Sequence, residues 1–173
     1  MESKVSELIQ LFEKSNENFL RKDIKLLDIG LCERCMCGSL AIRLHDIFMC
    51  KSKYNKYYVD IEYNRQGLGD PKIIDEFGGR IFTDIIVHSR GELPDCDNLI
   101  AIEMKIKENS DNVKNSLDRK RLMLMTGENR SNGTVSGYQL GVFYEIDRRE
   151  KTILIEYFSR GEVIDKNIIS CHF

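Results

Sequence analysis

The chain is 173 residues long, with 26 Lys and Arg against 28 Asp and Glu and a formal charge of −2. That length suits one domain whose core can fold without a metal or a disulfide. With 42% hydrophobic and 31% charged residues, the balance is that of a globular protein rather than a disordered one. Near-neutral charge excludes a basic coat over the whole chain, although it leaves room for a local basic cleft. No apolar run approaches the roughly 18 residues of a membrane span, and the opening MESKVSELIQLFEK puts charges where a secretion signal would be apolar. The expectation is a cytoplasmic protein with no membrane partner and its six cysteines as free thiols.

Val5, Leu8, Ile9, Phe12 and Phe19 recur at helical spacing, so residues 1–25 read as a helical extension to a core over 26–160. A second helix is expected over 31–48, weakened by Gly38. The period then changes to two. YYVDIEYN (57–64) and IFTDIIVHS (81–89) read as strands separated by a glycine-rich loop. LIAIEMKIK (99–107) reads as a third strand, with Ile100, Ile102, Met104 and Ile106 on one face and Ala101, Glu103, Lys105 and Lys107 on the other. Residues 111–126 read as a helix burying Val113, Leu117 and Leu124. A turn-rich loop leads to two final strands, YQLGVFYEI (138–146) and KTILIEYF (151–158). Strands followed by a crossover helix and more strands imply an α/β fold with a mixed central sheet flanked by helices.

Two strands carry acids where apolar residues are the norm. Asp84 interrupts FTDIIV, and Glu103 interrupts IAIEMKI with Lys105 two positions on and on the same face. If these strands pair, two carboxylates and an ammonium converge. Mg²⁺ and similar ions take one or two carboxylates together with phosphate oxygens and water, and a lysine beside them can orient or deprotonate the attacking water. The plain alternative is an Asp84–Lys105 ion pair on a wet face.

These residues resemble the signature of the PD-(D/E)xK, or restriction-endonuclease-like, phosphodiesterases. Thr83-Asp84 is similar to the PD element with threonine in place of proline, and Glu103-Met104-Lys105 is similar to the E-x-K element. VDIEYNR (59–65), TDIIVHSRG (83–91), NLIAIEMK (98–105), DRKRL (118–122) and YQLGVFYEI resemble a group of small bacterial proteins assigned to that superfamily. The resemblance implies an αβββαβ core over about 33–146 and a metal-dependent nuclease, cutting from an end or internally, with DNA ahead of RNA as substrate. It implies that Asp84 and Glu103 bind Mg²⁺ or Mn²⁺, that Lys105 positions or activates water, and that Glu33 completes the acid set, with Glu62 competing for that place. Arg65 and His88 are candidates for substrate contact, and Lys72, Arg90 and Lys107 for a backbone-tracking groove. Cutting both strands of a duplex would favour a homodimer. A non-cleaving binding module, or one subunit of a larger assembly, is the competing reading. The run C-E-R-C-M-C lacks the second paired element of a structural zinc site, so its thiols are expected to line helix packing.

Overall fold

The computed structural model describes residues 2–65, 69, 73–74, 79–109, 111–128 and 136–171. Helices α1 (Glu2–Asp23), α2 (Lys25–Asp28) and α3 (Glu33–Met49) precede strand β1 (Tyr58–Ile61) and a two-stranded ribbon of β2 (Ile73–Ile74) and β3 (Gly79–Arg80). Then come β4 (Ile85–His88), β5 (Asn98–Ile106), α4 (Asn112–Thr126), β6 (Leu140–Asp147), β7 (Thr152–Ser159) and β8 (Glu162–Ser170). Six strands form one mixed sheet in the order β1-β4-β5-β6-β7-β8. Among the described strands only β5 and β6 run parallel, and α4 makes the crossover between them.

The two-residue period of the strands sorts side chains into two cores. Ile85, Val87, Ile100, Ile102, Met104, Val142 and Tyr144 join a cluster with Leu8, Phe12 and Phe19 of α1 and Met36, Leu40, Leu44 and Phe48 of α3. Phe12 sets its ring edge-on to both Tyr144 and Tyr157, and Tyr144 donates its hydroxyl to buried Asn16 at 2.7 Å. The opposite face holds a smaller cluster of Ile86, Ala101, Phe143 and Phe158 under Leu122 and Met125 of α4. Covered on both sides, β5 reads as a nearly continuous apolar strand, which is why charged residues within it stand out.

Several elements differ from their expected form. Gly38 does not interrupt α3, which runs unbroken from Glu33 to Met49 because the buried face of Met36, Leu40, Leu44 and Phe48 outweighs the propensity cost of one glycine. β1 stops at Ile61 because Glu62 takes a left-handed φ of 51°. β4 starts at Ile85, so Asp84 sits at the mouth of the strand rather than inside it. A last strand, β8, was not expected. It follows a tight turn with positive φ at Arg160 and Gly161, and most of it is solvent-exposed, so no alternation of buried and polar residues marks it. In α4, Val113 and Leu117 are exposed at 70% and 43%, whereas Asn115, Asp118, Leu122 and Met125 are buried. The N-terminal half of α4 lies over a polar part of the sheet and turns polar residues toward it. No helix among the described residues is long and apolar enough to cross a membrane.

Candidate active site at the end of the central strand

Antiparallel pairing sets Ile85 opposite Ile102 and Ile86 opposite Ala101, so the same register carries Asp84 to Glu103. Both then lie on the α4 face of the sheet with Lys105. Asp84 Oδ2 accepts the Met104 amide at 2.8 Å, which ties the loop before β4 to β5. α3 begins beside the carboxyl end of β5, and Glu33, in its first turn, accepts the Ile106 amide at 3.3 Å. The loop before β4, β5 itself and, from the α1/α3 face, the start of α3 therefore deliver side chains to a single point.

Lys105 Nζ is that point. It stands 3.4 Å from Asp84 Oδ2, 3.5 Å from Glu33 Oε1 and 3.3 Å from Asp118 Oδ2, and it donates to the Met104 carbonyl at 2.8 Å. Glu103 is only 1% exposed, and Arg121 Nη1 donates to its Oε1 at 2.8 Å. The same guanidinium nitrogen lies 3.1 Å from Asp118, which links the two halves of the cluster. Carboxylates of Glu33, Asp84, Glu103 and Asp118 thus face two cations, Lys105 and Arg121.

The electrostatics follow from that imbalance. Burial, reinforced by Asp84, pushes the Glu103 carboxyl well above its ordinary pKa, against the pull of Arg121 and Lys105. Burial also raises Glu33, with Lys105 opposing the shift and Asp84 adding to it. Burial alone would lower Lys105, but Asp84, Asp118, Glu103 and Glu33 outweigh it and hold the ammonium protonated.

Among the described residues, no three Asp, Glu, His or Cys side chains stand as a ready-made cage for a metal ion. Asp84 and Glu103 are nevertheless adjacent hard oxygen donors carrying surplus negative charge, which is the donor chemistry Mg²⁺ and Mn²⁺ take. Their oxygens are presently engaged by Lys105, Arg121 and a backbone amide.

The structure brings Asp84, Glu103, Lys105 and Glu33 together, and it places the other candidates elsewhere. Glu62 is turned away and pairs with Arg34 at 2.8 Å. His88 is fully buried, with Nε2 2.9 Å from Asp60 Oδ2 and its ring against Tyr63. Arg90 donates through Nε to that same Asp60 oxygen at 2.8 Å and lies over the Tyr58 ring. Arg65 is exposed beyond the end of β1, and Lys107 pairs with Asp147 at 2.7 Å. Lys72 lies outside the described residues. Cys32, Cys35 and Cys50 are exposed rather than packed, while Cys37 is buried.

Asp118 and Arg121 are the members that sequence reasoning passed over. Both stand in the DRKRL segment that carries part of the resemblance. Their signal was the polar series Asn115, Asp118 and Arg121, three apart on one helical face. No protein-family model, curated protein or solved structure matches the chain.

Two outcomes follow from this geometry. Arg121→Gln strands Glu103 without its cation, so urea unfolding in EDTA should show a loss of about 3–5 kcal/mol, with most of it regained in the Glu103→Gln/Arg121→Gln double variant. A single-variant loss below about 1 kcal/mol would mean that the pair is no more than a surface contact. Asp60 is opposed by burial but held below its ordinary pKa by Arg90 and His88. Its contribution is therefore present above the unfolded aspartate pKa and lost as pH falls through the lowered folded value. Asp60→Asn should unfold at lower urea near neutral pH and lose less on acidification than the wild type, and parallel acid limbs would contradict this.

Proposed function

We propose that the chain is a metal-dependent phosphodiesterase of the PD-(D/E)xK type acting on nucleic acid, DNA ahead of RNA. One observation carries the reading: an acid at the mouth of β4, an acid-x-lysine on β5 and an acid at the start of α3 converge at the carboxyl end of the central strand. The order α3, β1, β4, β5, α4, β6 supports a restriction-endonuclease-like core. Physical cost supports it as well. Buried ion pairs often add less stability than apolar residues of similar size, and strongly perturbed carboxyls collect at functional sites.

In this reading Asp84 and Glu103 hold Mg²⁺ or Mn²⁺. The bound ion supplies charge neutralisation at the phosphate and a water of lowered pKa. Lys105, kept protonated by its carboxylate neighbours, hydrogen-bonds the attacking water or a phosphate oxygen and orients it. Glu33 fixes Lys105 from the α3 side, and Asp118 fixes it from α4. Arg121 donates to Glu103 and favours its ionised form against the burial and the Asp84 charge that raise it. Arg65 remains a candidate for phosphate contact, whereas His88 acts through Asp60 and Arg90 by shaping the neighbouring loop.

A second reading has its own support. Lys105 is already satisfied by protein oxygens, and Arg90 and Lys107, two of the described cations of the predicted groove, are paired with acids. That favours a non-cleaving module, or a subunit whose partner supplies basic surface.

Cleavage of labelled single- and double-stranded DNA and RNA in Mg²⁺, Mn²⁺ or EDTA separates the two readings. The hydrolase reading expects metal-dependent products, reduced on the order of 10²–10³-fold in Lys105→Ala and Asp84→Ala. Folded protein that cuts nothing in either metal would overturn it, and so would activity that survives both substitutions.

A further inference from the structure

We propose that Cys32 and Cys35 form a reversible dithiol–disulfide site that closes covalently around Glu33. Cys32 is the N-cap of α3, with extended backbone at φ −69° and ψ 159°, and Cys35 lies three residues on in the first turn. That spacing turns both side chains to one side of the helix end, where the sulfurs are 3.4 Å apart and both residues are exposed. The other thiols of this helix are placed differently. Cys37 is buried with its sulfur 3.7 Å from the Met104 thioether, and Cys50 lies past the far end of α3. Two accessible thiols in sulfur contact need only a small closure to reach disulfide length, about 2.05 Å.

The chemistry is thiol–disulfide exchange with a low-molecular-weight disulfide such as oxidised glutathione. Cys32 stands at the helix end, where free backbone amides favour a thiolate. Its Sγ attacks one sulfur of the oxidant, which forms a mixed disulfide and releases one glutathione thiolate. Cys35 Sγ then attacks Cys32 Sγ, forming the protein disulfide and expelling the second glutathione thiolate. The protons of the two protein thiols end on the two released thiols. Two electrons pass from the protein to the oxidant, and reduced glutathione reverses both steps.

The residues enclosed by the new ring are Glu33 and Arg34. Glu33 reaches Lys105 and the Ile106 amide, and Arg34 holds Glu62 beyond the end of β1. Oxidation draws in the turn that carries Glu33. Resting on the hydrolytic reading of that site, displacement on the ångström scale lowers cleavage on the order of ten- to a hundredfold.

The test is a redox titration of the folded full chain in mixtures of reduced and oxidised glutathione. Remaining thiols are alkylated and the cysteine peptides read by mass. The expected result is a Cys32–Cys35 peptide lighter by two hydrogens that appears in one two-electron transition. Cys50→Ser should leave this unchanged, and Cys35→Ser should stop at one glutathione adduct on Cys32. Cys32 and Cys35 remaining fully alkylatable in oxidising buffer would overturn the proposal, as would equal adducts on Cys32, Cys35 and Cys50 without an internal disulfide. Because the disulfide is read by mass, a protein that cuts nothing still decides this proposal, and equal cleavage by both redox forms would overturn only the coupling to Glu33.

Discussion

Lys105 ties four elements of this protein together. Its ammonium meets Glu33 from α3, Asp84 from the loop before β4 and Asp118 from α4, and it leans on the carbonyl of its own neighbour in β5. The backbone repeats the same ties, since the Met104 and Ile106 amides serve Asp84 and Glu33. A strand buried on both faces offers few places for such a charge. The end of β5 is one, because there α4 opposes the sheet with Asn115, Asp118 and Arg121 rather than with apolar side chains. The two cores fix the strands, and the strands fix this cluster.

The cluster is electrostatically unbalanced in a way that bears on chemistry. Glu103 is buried and paired with Arg121, and its carboxyl is raised by burial and by Asp84. Lys105 carries the opposite consequence, its proton held by the surrounding acids. A divalent cation shared by Asp84 and Glu103 would relieve the repulsion that raises Glu103 and loosen the hold on Lys105. The same reasoning explains why a lysine locked among carboxylates is compatible with either a working or a silent site.

The sheet was legible because its signal is strong. Alternation in LIAIEMKI places Ile100, Ile102 and Met104 on the α1/α3 side, as expected, and Glu103 and Lys105 on the other. The approach of Asp84 to Glu103 and Lys105 also followed from strand pairing, whereas Glu33 was expected only from the resemblance, since no local pattern places a helix end beside a strand end. What escaped was decided by tertiary context. Val113 and Leu117 look like a buried stripe on α4, yet the sheet beneath them is polar and the helix turns Asn115 and Asp118 inward. β8 has no buried face to generate alternation, and its Arg160-Gly161 turn lacks the usual Asn-Gly or Asp-Gly mark. His88 sits on the expected strand, but pairing across β1 brings it to Asp60, which no one-dimensional pattern reveals.

The central claim is that the acids around Lys105 make a site for a divalent cation. Calorimetric titration of Mn²⁺ into the metal-free protein tests it without any assumption about substrate. The account predicts one bound ion per chain in the wild type, with binding weakened at least about tenfold in both Asp84→Asn and Glu103→Gln, the loss expected when one of two carboxylate ligands becomes neutral. Saturable Mn²⁺ binding that is unchanged in both variants, or none at all by the folded wild-type protein, would contradict it.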